Sequence, residues 1–186
     1  MKKFTKGFTL IELLIVIALL GALAVALLAA LDPLEQIKKG TDTGVRNTVA
    51  EIASAFTRYA SVKSGTLPYS GTVAWGSVGT DTTGSWYQAV NAVIKTGELK
   101  TDFFSLAQGQ LNRIYIIGDL SRYYVCFAPE AKSFKSDNNT KFVTVAAATA
   151  ATMIEMPTGG CDENGTVASA GTTGATAGAT CFWCVR

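Results

Sequence analysis

Hydrophobic and polar positions divide the chain into stretches of different period. From residue 8 to residue 31 it is one apolar run in which Glu12 is the only charge. At ~1.5 Å per residue such a run forms a helix of roughly 36 Å, enough to cross a hydrocarbon core of about 30 Å. Lys2, Lys3 and Lys6 precede it, which holds the N-terminus in the cytoplasm and sends the remainder across the membrane. A carboxylate this early in a span is costly there, and such residues usually face a partner rather than lipid. Three plainer readings compete, of which a soluble buried helix is disfavoured by the length of the run. A cleaved secretory signal has an apolar core of only ~7–15 residues followed by a small-residue cleavage site. In an ordinary signal anchor, Glu12 would merely snorkel to the interface.

From residue 32 the helical period returns with polar positions between. Asp32-Pro33-Leu34-Glu35 reads as a cap, a proline at the first helical position and an acid behind it. Leu34, Ile37, Thr41, Val45, Val49, Ile52, Phe56 and Tyr59 recur at steps of three and four and mark one buried face. Lys38, Lys39, Asp42, Arg46, Glu51, Arg58 and Lys63 fall largely off that stripe, as expected of an amphipathic helix packed on its own domain. Ser64-Gly65-Thr66-Leu67-Pro68 ends it. Gly21 and Pro33 are poor interior helix residues, so the segment between them is expected to bend or unwind locally.

Residues 65–113 read as a variable connection containing a short helix over Ser85–Lys95. Strand signals follow at Arg113–Ile117, Arg122–Ala128 and Lys141–Val145. Ser136-Asp137-Asn138-Asn139 supplies turn chemistry for an antiparallel hairpin between the last two. Val143–Met156 suits a strand or a short helix. Between Pro157 and Thr180, Gly, Thr and Ala supply 17 of 24 residues, too little apolar surface for the stretch to order itself. The fold class is α+β: a long N-terminal helix and a small antiparallel sheet.

Composition narrows the chemistry. Histidine is absent, which removes the commonest general acid–base residue and the commonest metal ligand, so no catalytic residue is assigned and no cofactor is expected. Loss of Lys2, Lys3 and Lys6 would turn the formal +2 into −1, and no nucleic-acid patch is visible. Cys126, Cys161, Cys181 and Cys184 all follow the span and fit an oxidising compartment. Four cysteines allow three full pairings, which sequence does not decide. A Cys161–Cys181 bridge is favoured because it would staple the Gly/Thr/Ala stretch to the domain. Cys181-Phe182-Trp183-Cys184 also has the spacing of a redox pair or half a zinc site, but it lacks a βαβ context and further ligands. Cys161-Asp162-Glu163-Asn164-Gly165 resembles part of a calcium loop with incomplete ligand spacing. Asn138 and Asn164 open weak glycosylation triplets.

The segment Lys6-Gly7-Phe8-Thr9-Leu10-Ile11-Glu12-Leu13 resembles the class III signal of type IV pilins and type II secretion pseudopilins. The resemblance covers roughly residues 1–64, and it implies a pilin-like fold with a leader over 1–7, a transmembrane and filament-core helix over 8–31, its amphipathic half over 32–64 and a globular head over 65–186. It further implies that prepilin peptidase cuts between Gly7 and Phe8 and methylates the new amine of Phe8. The precursor would be single-pass in a bacterial inner membrane, and the assembled form an extracellular or periplasmic filament. The implied partners are further copies of the chain, other minor pilins, an inner-membrane platform and its ATPase. In a low-dielectric layer Glu12 and a neighbour's Phe8 amine attract strongly, so the pair would set register. The expected function is a structural filament subunit. Asp32-Pro33-Leu34-Glu35-Gln36 leans toward the pseudopilin, and a signal-anchored surface enzyme or binding protein is the reading from another class.

Overall fold

The computed structural model describes residues 7–30, 32–120, 122–137, 142–143, 154–155 and 180–185. The chain divides into two compact units, residues 1–37 and 38–186.

The first unit is built on helix α1, Leu10–Ala30, whose Leu, Ile, Val and Ala side chains give it apolar surface all round. Gly21 lies inside α1 without breaking it. The next helix, α2, spans Pro33–Val62. Its start is chemically marked: Pro33 has no N–H to leave unsatisfied, and the Glu35 N–H donates to Asp32 Oδ1 at 3.2 Å. The amphipathic stretch therefore carries its own helix start at Pro33. At the other end the Gly65 N–H closes back on the Ala60 carbonyl at 2.7 Å, which places Ser64 in the left-handed region at φ 54°.

The second unit is an antiparallel sheet backed by the remainder of α2. Its elements, in chain order, are β1 (Val73–Ser77), α3 (Ser85–Lys95), α4 (Phe103–Ala107), a 3₁₀ turn (Leu111–Arg113), β2 (Ile114–Gly118), β3 (Tyr123–Phe127), α5 (Lys132–Lys135), β4 (Phe142–Val143), β5 (Ile154–Glu155) and β6 (Cys181–Val185). Among the described residues the strands order as β1-β2-β3-β6-β4-β5. Period-two alternation sorts their side chains between two faces. Ile114, Ile116, Val125, Phe127 and Trp183 join Val45, Val49, Ile52 and Phe56 of α2 in the main core, with α3 contributing Trp86, Val90 and Val93. Ile117, Tyr124, Cys126, Phe182 and Cys184 form a second cluster on the opposite face, against Trp75 and Tyr115.

The helix over Ser85–Lys95 and the strands β2 and β3 stand where the hydrophobic pattern puts them. Three expectations need correction. The hairpin between β3 and β4 does not form: α5 intervenes in the chain, and β6 pairs Cys126↔Cys184 with β3 and Val143↔Cys181 with β4. Ser136 caps α5, its N–H donating to the Lys132 carbonyl, so a local turn signal served a helix end while the apolar C-terminal strand took the place beside β3. Residues 73–77, read as loop, form β1, where Gly76 leaves room for the Trp86 ring and the indole N–H donates to the Ala74 carbonyl at 3.0 Å. The stripe on α2 is also narrower than expected, because Leu34 and Ile37 are exposed and burial starts at Asp42 and Val45. The Gly/Thr/Ala stretch, its calcium-like loop, Asn138 and Asn164 lie outside the described residues.

Tyr69 ties the β2–β3 turn to α2. Its hydroxyl donates to the Asp119 carbonyl at 3.0 Å, its ring lies against Phe56 and Trp86, and a Cβ at Gly118 would collide with it. Burial, then the Asp119 carboxylate and Tyr123, push the phenol pKa well up. A raised folded-state value means that the neutral phenol contributes stability below the ordinary tyrosine pKa of about 10, and that this contribution is lost as pH climbs above it. Tyr69→Phe is expected to cost about 1 kcal/mol near neutrality through the lost hydrogen bond. It should then lose less stability than wild type between about pH 9 and about pH 11, because it cannot ionise. Urea unfolding followed by tryptophan fluorescence at both pH values checks this; parallel losses would contradict it.

Candidate assembly site

The N-terminal site is built on the first turn of α1. Thr9 is the N-cap residue. Its N–H donates to Glu12 Oε2 at 2.9 Å, its hydroxyl donates to the same oxygen at 2.8 Å, and the Glu12 N–H donates back to Thr9 Oγ1 at 3.3 Å. This is a capping box, in which a Thr and the Glu three residues on satisfy each other's free backbone donors. The carboxylate is thus held at the helix N-terminus, where the peptide dipoles also favour negative charge. Phe8 is exposed, and a Cβ added at Gly7 would meet nothing within 4 Å, so no packing within the described residues requires a glycine there. The span Leu10–Ala29 is long and apolar enough to cross a membrane, and none of it is buried among the described residues. Gly21 likewise has open space around it.

A second constellation fixes α2 to the head. The Asp42 side chain is 0 % exposed. Its Oδ1 accepts from Arg113 Nη2 at 2.7 Å, and its Oδ2 accepts the N–H groups of Glu130 and Ala131 at 2.7 and 2.8 Å. Arg113 also reaches Glu130 Oε1 at 3.5 Å. One carboxylate thereby joins α2, the 3₁₀ turn that leads into β2 and the turn before α5. Thr57 and Tyr123 add a hydroxyl contact at 2.7 Å further along the same helix. Off the stripe, the Arg46 guanidinium lies 4.8 Å from the centre of the Trp183 ring, a cation–π contact.

Cys126 and Cys184 face each other across β3 and β6, with Cα atoms 4.0 Å apart, and are disulfide-bonded. Cys181 is disulfide-bonded as well. The favoured Cys161–Cys181 pairing depends on Cys161, which lies outside the described residues. Cys181 and Cys184 are not bonded to each other, since Cys184 is taken by Cys126, so the redox reading of that tetrapeptide is set aside. Among the described residues no group of three His, Cys, Asp or Glu side chains is placed to hold a metal.

Two of these residues escaped sequence reading for different reasons. Thr9 carried a legible signal, the T-x-x-E spacing before an apolar helix. Asp42 carried none, because the group that neutralises it lies 71 residues away.

Residues 2–28 match the family described as the prokaryotic N-terminal methylation motif. The chain therefore carries the class III signal of type IV pilins and pseudopilins, on a fold with a long apolar N-terminal helix and a small antiparallel sheet. No curated protein and no solved structure is significantly similar to it.

Removing one partner of a buried, hydrogen-bonded ion pair typically costs ~3–5 kcal/mol. Asp42→Asn, which leaves Arg113 and two backbone donors facing a neutral amide, is expected to lower the thermal midpoint of the detergent-solubilised chain by roughly 10 °C. Calorimetry of wild type and variant measures it. A shift under about 2 °C would show that the clamp contributes little.

Proposed function

We propose that the chain is a structural subunit of a type IV pilus-like extracellular filament, inserted in the inner membrane as a precursor and assembled through packing of its N-terminal helix. The observation that carries this reading is a helix of membrane-spanning length, exposed among the described residues and opening on a carboxylate at its N-terminus, within the methylation motif. Prepilin peptidase would cut after Gly7, where a residue without a side chain lets a protease approach the backbone closely. The new Phe8 amine would become the cation that a neighbouring Glu12 meets in the apolar filament core. Because both charges are expensive there unless paired, a wrong stagger leaves two unsatisfied ions, and the pair selects register. Gly21 and Pro33 would let the helix adjust between membrane and filament. Other minor pilins, a membrane platform and its cytoplasmic ATPase complete the machinery. Catalysis has no part in this function.

A disulfide between Cys126 and Cys184 closes a loop of 58 residues, which the chain-entropy account values at about 4 kcal/mol. With that pair made, Cys161 is the cysteine left in this sequence for Cys181, and we assign a second bridge between them. Both would hold the head together outside the cell. The pseudopilin of a type II secretion system shares the same N-terminal chemistry, and the Asp32-Pro33-Leu34-Glu35-Gln36 stretch favours it; secretion of cargo without surface fibres would select that reading.

Glu12→Gln tests the assignment. It keeps size and polarity and removes the charge, so membrane insertion is expected to persist and cleavage after Gly7 to remain largely intact. Fibre yield should fall sharply. The measurement compares sheared fibres with membrane-bound mature subunit in cells carrying only the variant. Normal fibre yield from that variant would remove Glu12 from any role in assembly.

A further inference from the structure

Arg46 and Glu51 are opposite charges on α2 that have no ionic partner among the described residues. Arg58, Arg113 and Arg122 each hold a carboxylate. Arg46 is held differently: its guanidinium lies 4.8 Å from the centre of the Trp183 ring and 5.8 Å from that of Phe134. Ring faces attract the cation but offer it no carboxylate, so a planar fork of N–H donors is fixed in place with its preferred acceptor missing. Arg46 is only partly buried and can be reached from outside. Glu51 is the converse, an exposed carboxylate with no hydrogen bond among the described residues. It stands at a hollow of about 150 Å³ whose other lining residues include Phe103, Leu106 and Ala107. Lys100 lines the same hollow without pairing with it.

Helix geometry keeps the two charges apart. Five residues advance α2 by roughly 7.5 Å and turn it by about 140°, so Arg46 and Glu51 stand on opposite flanks of its exposed face. Thr43, Asn47 and Ser54 on the face between them are short and exposed, and leave room for a neighbour. Opposite charges on opposite flanks fit a second copy of the same chain. The Arg46 flank of one copy meets the Glu51 flank of the next, every copy uses both, and the contact is heterologous: it repeats without closing.

We propose that the Arg46 guanidinium of one copy pairs with the Glu51 carboxylate of the next. The contact rests on the filament reading above and adds to it a charged pair outside the apolar core, separate from Glu12. With the two α2 helices parallel, the pair stands level when the copies are displaced by roughly 7.5 Å along the helix. The apolar lining beside Glu51 keeps water back and strengthens the attraction.

The test compares fibre yield from full chains in cells carrying only the variant. Glu51→Arg sets two cations face to face and should lower the yield roughly tenfold or more. Because Glu51 makes no contact of its own, the unfolding midpoint of the detergent-extracted subunit should not move. Combining Glu51→Arg with Arg46→Glu exchanges the charges and should restore most of the yield. Arg46→Lys, which keeps the cation over its rings, reads position directly. A carbodiimide condenses an adjoining amine and carboxylate to an amide with loss of water. On sheared fibres of that variant it should give multimers joined through residues 46 and 51 of different chains, and on detergent-dispersed subunit it should give none. Normal yield from Glu51→Arg, Arg46→Lys fibres without the 46–51 link, or an exchange variant of wild-type midpoint that yields no more fibre than Glu51→Arg would each overturn the pair while leaving the filament reading in place. A wild-type chain that forms no fibres would overturn both.

Discussion

Everything in this protein turns on an apolar helix that is exposed among the described residues. Leu10, Ile11, Leu14, Ile17, Leu20, Leu23 and Leu27 are all exposed, and α1 is apolar all round rather than along one stripe. In water such a surface would drive aggregation; it is stable only among lipid tails or among other helices like itself. The surface therefore calls for an apolar surrounding. A single carboxylate in that helix acquires meaning from the same constraint, because charge is tolerated there only where a partner is provided.

The capping box shows how the carboxylate is accommodated before any partner arrives. Thr9 presents an N–H and a hydroxyl to Glu12 Oε2, so the isolated helix satisfies its acid locally. One amine from a neighbour would then meet an acid that is already positioned and need not gather it from solvent, which lowers the ordering cost of the encounter. In the second unit, Asp42 does the opposite work. It is closed inside the head, satisfied by one guanidinium and two backbone donors, and it fastens α2 to the sheet just beyond the boundary between the two compact units.

Local periodicity made the longer helices legible, while the short α4 and α5 passed unread. The apolar run, the Asp32-Pro33 start of α2 and the helix over Ser85–Lys95 are each encoded within a few turns, and β2 and β3 announce themselves by β-branched and aromatic runs. What escaped is non-local. Strand β6 was read for its cysteines, although Cys-Phe-Trp-Cys-Val is also an apolar strand, and its place between β3 and β4 depends on residues 58 positions away. Asp42 looked like a solvated helix residue because Arg113 is remote in sequence. Strand β1 is weak by composition and exists because β2 offers it an edge and Trp86 covers it. At the N-terminal site Gly7, Phe8 and Glu12 were readable from the junction of a basic leader with an apolar run, whereas the Thr9 half of the capping box was passed over although its spacing was in view.

The central claim is that the apolar helix stays on the mature chain and that only the basic leader is lost. Intact mass together with N-terminal peptide analysis of the subunit from sheared fibres tests it most directly. The account predicts a chain beginning at a methylated Phe8 with the whole of α1 retained. A chain that keeps Met1 in assembled material, or one cut between Ala24 and Ala30, would contradict it.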